Sequence, residues 1–351
     1  MEPAEPLLSV RQLSTRFAGA ARAALDEVTF DVPRGSIVGL VGDSGSGKSL
    51  TALSIASLLP HDAHVAGGQV WFQGRDLLQA SERELALVRG RGIGMIFQEP
   101  ASALSAVHTV GWQLALALRA GGQLGKLGPL QSLRRAGRAR ARELLRRVEL
   151  PDPEALLELY PHQLSAGMRR RVMIALALAS QPALLIADEP TTGLDAPIQA
   201  QILDLFLRLV QSEGRSMLFI THDLCVAAEI ASEIVVLYAG QVVEAGPARN
   251  VLGRPQHPYT LNLLENIPGH GSSRWQGRAV LPDAASADKT RAASASVTGA
   301  GCRFAEHCPQ RARDPQRFVR CADESPQLEP AAARHRSRCF YPRLDGEEPP
   351  Q

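Results

Sequence analysis

The 351-residue chain is long enough for one large core plus an appendage, since single cores stop growing at roughly 250–300 residues. With 45% hydrophobic and 21% charged residues it has the composition of a folded globular protein rather than a disordered one. A formal net charge of +2 is too small to argue for nucleic-acid binding, and acidic Glu2 and Glu5 with no apolar run argue against a secretory signal.

The first predicted elements lie between Leu7 and Val32, where alternating apolar and polar residues with turn material around Ala18–Ala21 read as a strand meander. Ile37-Val38-Gly39-Leu40-Val41 is a short apolar run of the kind a buried parallel strand needs, and Leu184–Ala187 and Met217–Ile220 are two more. Helical patterns lie between them, so the expected core is a parallel sheet with helices on both faces. From Glu99 to His162 the strand signal stops and Leu144, Leu145 and Val148 fall at helical spacing, which predicts a helical insertion. Its arginines, Arg134, Arg135, Arg138, Arg140, Arg142, Arg146 and Arg147, read as a solvated helix face partly paired with Glu143 and Glu149. Val172–Ala187 is apolar but broken by Ser180, Gln181 and Pro182, short of the roughly 20 uninterrupted residues a membrane span needs. Any membrane role must then come through partners. Ile234–Leu237 and Gln241–Glu244 flank Tyr238-Ala239-Gly240 as a closing hairpin, and the Ala-, Ser-, Thr- and Gly-rich stretch Ala284–Ala300 reads as a linker to a cysteine-containing tail.

Directly after the first buried strand stands Gly42-Asp43-Ser44-Gly45-Ser46-Gly47-Lys48-Ser49, followed by Leu50 and a helical stretch, in the G-x-x-x-x-G-K-S/T pattern. The glycines let successive N–H groups turn toward phosphate oxygens, and the helix presents its positive end to the same anion. Lys48 is expected on the β and γ phosphates and Ser49 on Mg²⁺. Asp188-Glu189, ending the strand Ala183–Ala187, supplies one carboxylate for the Mg²⁺ shell and one to polarise an attacking water, assigned to Asp188 and Glu189 in that order.

What accompanies these two motifs resembles the ATPase subunits of ABC transporters: Gln98 at the Q-loop, Leu164-Ser165-Ala166-Gly167-Met168 at the signature, Thr192-Gly193-Leu194-Asp195 at the D-loop and Thr221-His222-Asp223 at the switch histidine. The resemblance covers about residues 7–268. It implies a P-loop NTPase (ABC ATPase) core of α/β class with an N-terminal antiparallel β subdomain, built from residues 1–98 and 171–250. It further implies a helical subdomain over 99–170 with the signature, and a small extension over 251–351. It also implies a head-to-tail dimer in which ATP on one phosphate loop is capped by Ser165, Gly167 and Asp195 of the other subunit. His222 would touch the γ-phosphate or the attacking water, Gln98 would sense Mg²⁺ and couple to the membrane subunits, and Phe17 would stack on adenine. Ala166 stands where the family has a first signature glycine, which bears on the strength of that half-site.

Phe97-Gln98-Glu99-Pro100, Tyr160-Pro161-His162-Gln163 and His257-Pro258-Tyr259-Thr260 are similar to the oligopeptide, dipeptide and nickel importer branch. That likeness implies uptake of peptides, with nickel or another small solute as the alternative, at the cytoplasmic face of the inner membrane. The implied partners are a paralogous ATPase subunit or a second copy, two permeases and an extracytoplasmic substrate-binding protein, with no nucleic acid. One further alternative is a catalytically weak subunit supporting a paralogue. A ribosome- or DNA-acting ABC ATPase is disfavoured by the single cassette and the lack of sustained heptads.

Four of the five cysteines, Cys302, Cys308, Cys321 and Cys339, fall in the tail, and Gly301-Cys302-Arg303-Phe304 with Cys308 fits the branch's pattern. Clustered thiols in a reducing compartment point to metal rather than disulfides. Intervals of five, twelve and seventeen residues do not form the paired C-x-x-C of zinc ribbons. Four thiolates suit a 4Fe–4S cluster, and the resemblance to dipeptide importer ATPases implies the same, with zinc or four reduced thiols as alternatives.

Overall fold

The computed structural model describes residues 5–99, 103–124, 130–265 and 301–342. In chain order the elements are β1 (Leu8–Phe17), β2 (Leu25–Val32), β3 (Ile37–Val41), α1 (Lys48–Ile55), β4 (Ala63–Phe72), β5 (Arg75–Asp76), α2 (Glu82–Leu87), β6 (Ile93–Ile96), α3 (Val110–Ala120), α4 (Leu130–Arg147), α5 (Pro153–Leu156) and α6 (Ala166–Leu178). After these come β7 (Leu184–Asp188), α7 (Ala196–Glu213), β8 (Ser216–Thr221), α8 (Leu224–Ile230), β9 (Glu233–Tyr238), β10 (Gln241–Pro247), α9 (Ala248–Gly253), α10 (Pro258–Glu265), α11 (Pro309–Arg313), α12 (Arg320–Asp323), β11 (Glu329–Ala332) and β12 (His335–Ser337). The chain forms two compact units: Met1–Leu8, Val32–Ile37 and Trp71–Ile220 make one, and Ser9–Asp31, Val38–Val70 and Thr221–Gln351 the other.

In the first unit β6, β7 and β8 run parallel, with Ile93 opposite Leu184 and Leu184 opposite Ser216. Every residue of β7 and β8 is buried, which explains the apolar runs Leu184–Ala187 and Met217–Ile220 within them. Burying each Leu, Ile or Phe there stabilises by about 1.5–3 kcal/mol. Phe206 on α7 meets Phe219 on β8 edge-on at 6.1 Å. Of the arginines expected on the helical face, Arg140 and Arg146 are exposed and Arg138, Arg142 and Arg147 half-buried, while the side chains of Arg134 and Arg135 lie outside the described residues. Arg138 binds Glu154 and Glu158, Arg142 binds Glu154, and Arg147 binds Glu213. Arg146 pairs weakly with Glu143 at 3.9 Å, whereas Glu149 belongs to Arg171 and Arg208.

In the second unit β2, β1 and β4 are hydrogen-bonded in that order. Thr15 bonds Ala24, Ser14 bonds Glu27 and Gln12 bonds Thr29, a descending series that makes the β1–β2 pair antiparallel. The buried hydroxyls of Thr15 and Ser54 meet at 3.0 Å and tie β1 to α1. β3 lies parallel to β9, β9 and β10 form the expected hairpin, and β10 continues antiparallel into β12 and then β11. The expected closing hairpin is therefore extended by two further antiparallel strands from the tail. β11 and β12 are short, and polar β12 pairs with β10 where His335 closes on the buried Glu244 at 2.7 Å. The linker expectation for Ala284–Ala300 lies outside the described residues.

Candidate functional site

The phosphate loop is built as its glycines require. Gly42 has φ 155° and sits so close to Leu237 that a Cβ would lie 2.1 Å from that carbonyl oxygen. Gly47 begins α1 with φ 108° and no side chain caps the helix, so its first amides remain available to an anion. The Ser46 hydroxyl is buried, 4% exposed, and has no hydrogen-bond partner among the described residues. An orphaned buried hydroxyl beside uncapped helix amides fits a phosphate oxygen. Lys48 is buried and its ammonium donates to the carbonyls of Gly42 at 2.8 Å and Asp43 at 2.9 Å, so the loop is closed on its own lysine. Ser49 and Leu50 follow in α1, half-buried, while Asp43, Ser44 and Gly45 are exposed. Phe17 ends β1 half-buried. His222 is exposed directly after β8, on a turn held by Asp223, whose N–H donates to the Thr221 hydroxyl and whose carboxylate caps α8.

The other unit gathers the hydrolytic candidates. Asp188 and Glu189 are 6% and 8% exposed at the end of β7, and Glu189 takes φ 46°, a left-handed conformation that re-aims its side chain away from the strand. Its Oε2 accepts from Gln98 Nε2 at 3.1 Å and from the Thr192 hydroxyl at 2.9 Å. Gln98, Glu189 and Thr192, which sequence places in three separate motifs, thus share one hydrogen-bonded cluster. Arg170 of α6, which the sequence reading did not single out, underpins it. Its guanidinium donates to the carbonyls of Phe97 (3.2 Å), Gln98 (2.8 Å) and Thr192 (3.3 Å), and burial pulls its pKa down from the ordinary arginine value. An arginine amid several others on one helix carried no sequence signal to set it apart.

Ser165 caps α6 by accepting from Met168 N–H at 3.2 Å, and Asp195 caps α7 through Ile198 N–H at 3.2 Å. Ser165, Ala166 and Asp195 are exposed. A Cβ on Gly167 would meet only Ile198 Cγ2, at 3.7 Å, so this helix tip is open for a ligand to approach.

In the tail all four cysteines line one cavity, together with His257, Phe304 and Phe318. All are free thiols, and burial pushes Cys321 up to about 11 and Cys339 up to about 12. Among the described residues no group of three or more His, Cys, Asp or Glu side chains is placed to hold a single metal ion.

Comparison with known proteins places this arrangement. Residues 25–192 match the ABC transporter family, and residues 243–314 match the C-terminal region of oligopeptide/dipeptide transporters. A probable peptide ABC transporter ATP-binding protein of Sinorhizobium fredii, y4tR, is 43% identical over 96% of this chain and 95% of its own. The chain belongs to the ATP-binding subunits of ABC transporters. As a member of this family it is an ATPase whose hydrolysis is coupled to transport. The dipeptide transport ATP-binding protein DppD of Escherichia coli is 41% identical over 98% of this chain and 99% of its own. Among solved structures, the dimeric bacterial ABC transporter cassette MJ0796 is similar at TM-score 0.60 and 29% identity, over 69% of this chain and 99% of that one. No helix among the described residues of this ABC subunit is long and apolar enough to cross a membrane.

Proposed function

We propose that this ABC subunit hydrolyses Mg-ATP to power uptake of dipeptides or oligopeptides through separate permease subunits. The observation that carries the peptide reading is that similarity to peptide and dipeptide transport ATP-binding proteins runs through the tail as well as the cassette. Lys48 releases the loop carbonyls of Gly42 and Asp43 to take the β and γ phosphates, where the Ser46 hydroxyl and the first amides of α1 also face the anion. By their motifs Ser49 would ligate Mg²⁺ and Asp188 would reach its water shell, and the ion would supply positive charge against the phosphates. Glu189 takes the proton of the water that attacks the γ-phosphorus as the bond to ADP breaks, with Gln98 and Thr192 orienting its carboxylate and His222 donating to the γ-phosphate oxygens. Phe17 stacks on adenine. The open helix tip at Ser165 and Gly167, with Asp195, caps ATP on a partner cassette, either a paralogue or a second copy. With two permeases and an extracytoplasmic binding protein the subunit works on the cytoplasmic face of the membrane.

The four tail thiols border one common cavity, and that shared lining is what supports a 4Fe–4S cluster held by Cys302, Cys308, Cys321 and Cys339. Such a cluster, when bound, supplies the positive charge that buried thiolates otherwise lack. Iron and sulfide content of anaerobically purified protein tests this part: about four of each per chain supports it, and thiols without iron after reconstitution refute it. The transport reading is tested by uptake of labelled dipeptide in cells lacking the gene. Lost peptide uptake that returns with the gene is the expected result; full peptide uptake with lost nickel uptake would favour the nickel reading.

A further inference from the structure

The phosphate loop is gripped from behind by two residues outside every nucleotide motif. Tyr259, 1% exposed on α10, donates its hydroxyl proton to Asp43 Oδ2 at 2.9 Å and accepts from Asp43 N–H at 2.9 Å. Its ring lies edge-on to Phe304 at 5.5 Å and beside Tyr238 at 4.6 Å. Phe304 lines the cysteine cavity, two residues after Cys302. The segment carrying Tyr259 is itself fixed: the Tyr259 N–H donates to His257 Nδ1 at 3.1 Å, the His257 N–H donates to buried Glu244 at 2.8 Å, and Glu244 also binds His335 of the tail. Burial holds His257 neutral, at about 3, which keeps Nδ1 able to accept.

The second grip starts one residue from the first. Arg303, 13% exposed at its side chain, pairs with Asp26 at 2.6 Å and donates to the carbonyl of Ala239 in the β9–β10 turn. The next residue, Gly240, donates its N–H to the Ser46 carbonyl at 2.8 Å. Gly240 has φ 82°, and a Cβ there would stand 2.1 Å from the Ala24 carbonyl oxygen, so the turn is packed closely on Ala24 at the point where it bonds the loop. Tail residues 303 and 304 therefore bear on the phosphate loop at two points, Asp43 through Tyr259 and Ser46 through Gly240.

We infer that the cysteine-bearing tail braces the phosphate loop of its own chain, with Tyr259 and Arg303 as positioning residues for Mg-ATP. Neither touches the phosphates. They fix the loop in its receiving shape before nucleotide arrives, and a loop ordered in advance loses less freedom on binding. The tail thereby sets nucleotide affinity rather than the rate of the chemical step. The inference rests on residues 42–49 being the nucleotide site.

The test uses the full-length chain in its assembled transporter, with Mg-ATP as the probe. Tyr259→Phe keeps the ring and removes the hydroxyl; Arg303→Gln removes the ion pair. Each is expected to raise both the Kd and the KM for Mg-ATP about tenfold with kcat within about twofold, and the double variant to approach the product of the two. Unchanged affinity in both variants overturns the brace, as does a fall in kcat at unchanged KM. Should Tyr259→Phe fail to fold, Arg303→Gln alone decides by the same split. If the unaltered protein binds no Mg-ATP, it is the nucleotide-site reading that fails.

Discussion

Replacing Arg170 by Met removes the guanidinium beneath the hydrolytic cluster while keeping a side chain of comparable length. The three bonds it makes are unequal: only the 2.8 Å contact to Gln98 is near the optimum, and those to Phe97 and Thr192, at 3.2 and 3.3 Å, are long. One good charge-assisted bond is worth about 2 kcal/mol and two long ones about 1 kcal/mol together, against about 1 kcal/mol recovered by no longer burying the guanidinium. A net loss of about 2 kcal/mol, if it falls on the placement of Gln98 and Thr192 around Glu189, corresponds to about a 30-fold lower kcat. Phosphate release measured over a range of ATP concentrations reads this directly. The KM should stay within about twofold, since Lys48 and the loop amides are untouched. A normal kcat in a stably folded Arg170→Met variant, or a loss confined to KM, would refute the reasoning.

Gly42→Ala places a methyl 2.1 Å from the Leu237 carbonyl oxygen at a φ that L residues rarely adopt, so it is expected to cost about 2 kcal/mol or more of stability and to abolish Mg-ATP binding, as followed by thermal melting and equilibrium titration. Without a bound cluster, the tail should also weaken in alkali. Unfolded thiols ionise above about pH 8.5, whereas folded Cys321 and Cys339 keep their protons to about 11 and 12, so the unfolded state binds fewer protons in between. The stability they contribute is whole below about pH 8.5 and falls as pH rises toward 11, by up to about 1.4 kcal/mol per pH unit for each thiol. Melting temperatures of iron-free protein between pH 8 and 10.5 check this, with Cys321→Ser and Cys339→Ser expected to flatten the slope.

Much of the site was legible because its motifs are local. A glycine loop between a buried strand and a helix has one workable backbone path, and Ser165 before Ala166-Gly167 announces a helix cap within four residues. Arg170, Tyr259 and Arg303 were not legible, because their partners are remote: Tyr259 meets Asp43 across 216 positions and Arg303 meets Asp26 across 277. Among the described side chains of α4, Arg138, Arg142 and Arg147 take carboxylates from α5, the turn after it and the end of α7, which periodicity within one helix cannot reveal. The tail strands escaped for a related reason. His335-Arg336-Ser337 is polar and short, and only the buried Glu244 of β10 makes a buried histidine favourable there. The left-handed turn at Glu189 likewise follows from its surroundings, since nothing in the residue type favours it.

The account turns on ATP being cleaved at this chain's own phosphate loop with Glu189 taking the water's proton. Turnover of Mg-ATP by the assembled transporter carrying Glu189→Gln measures that step. The expected result is binding of Mg-ATP at full affinity with hydrolysis reduced about 10²–10⁴-fold; hydrolysis at the unaltered rate would contradict it.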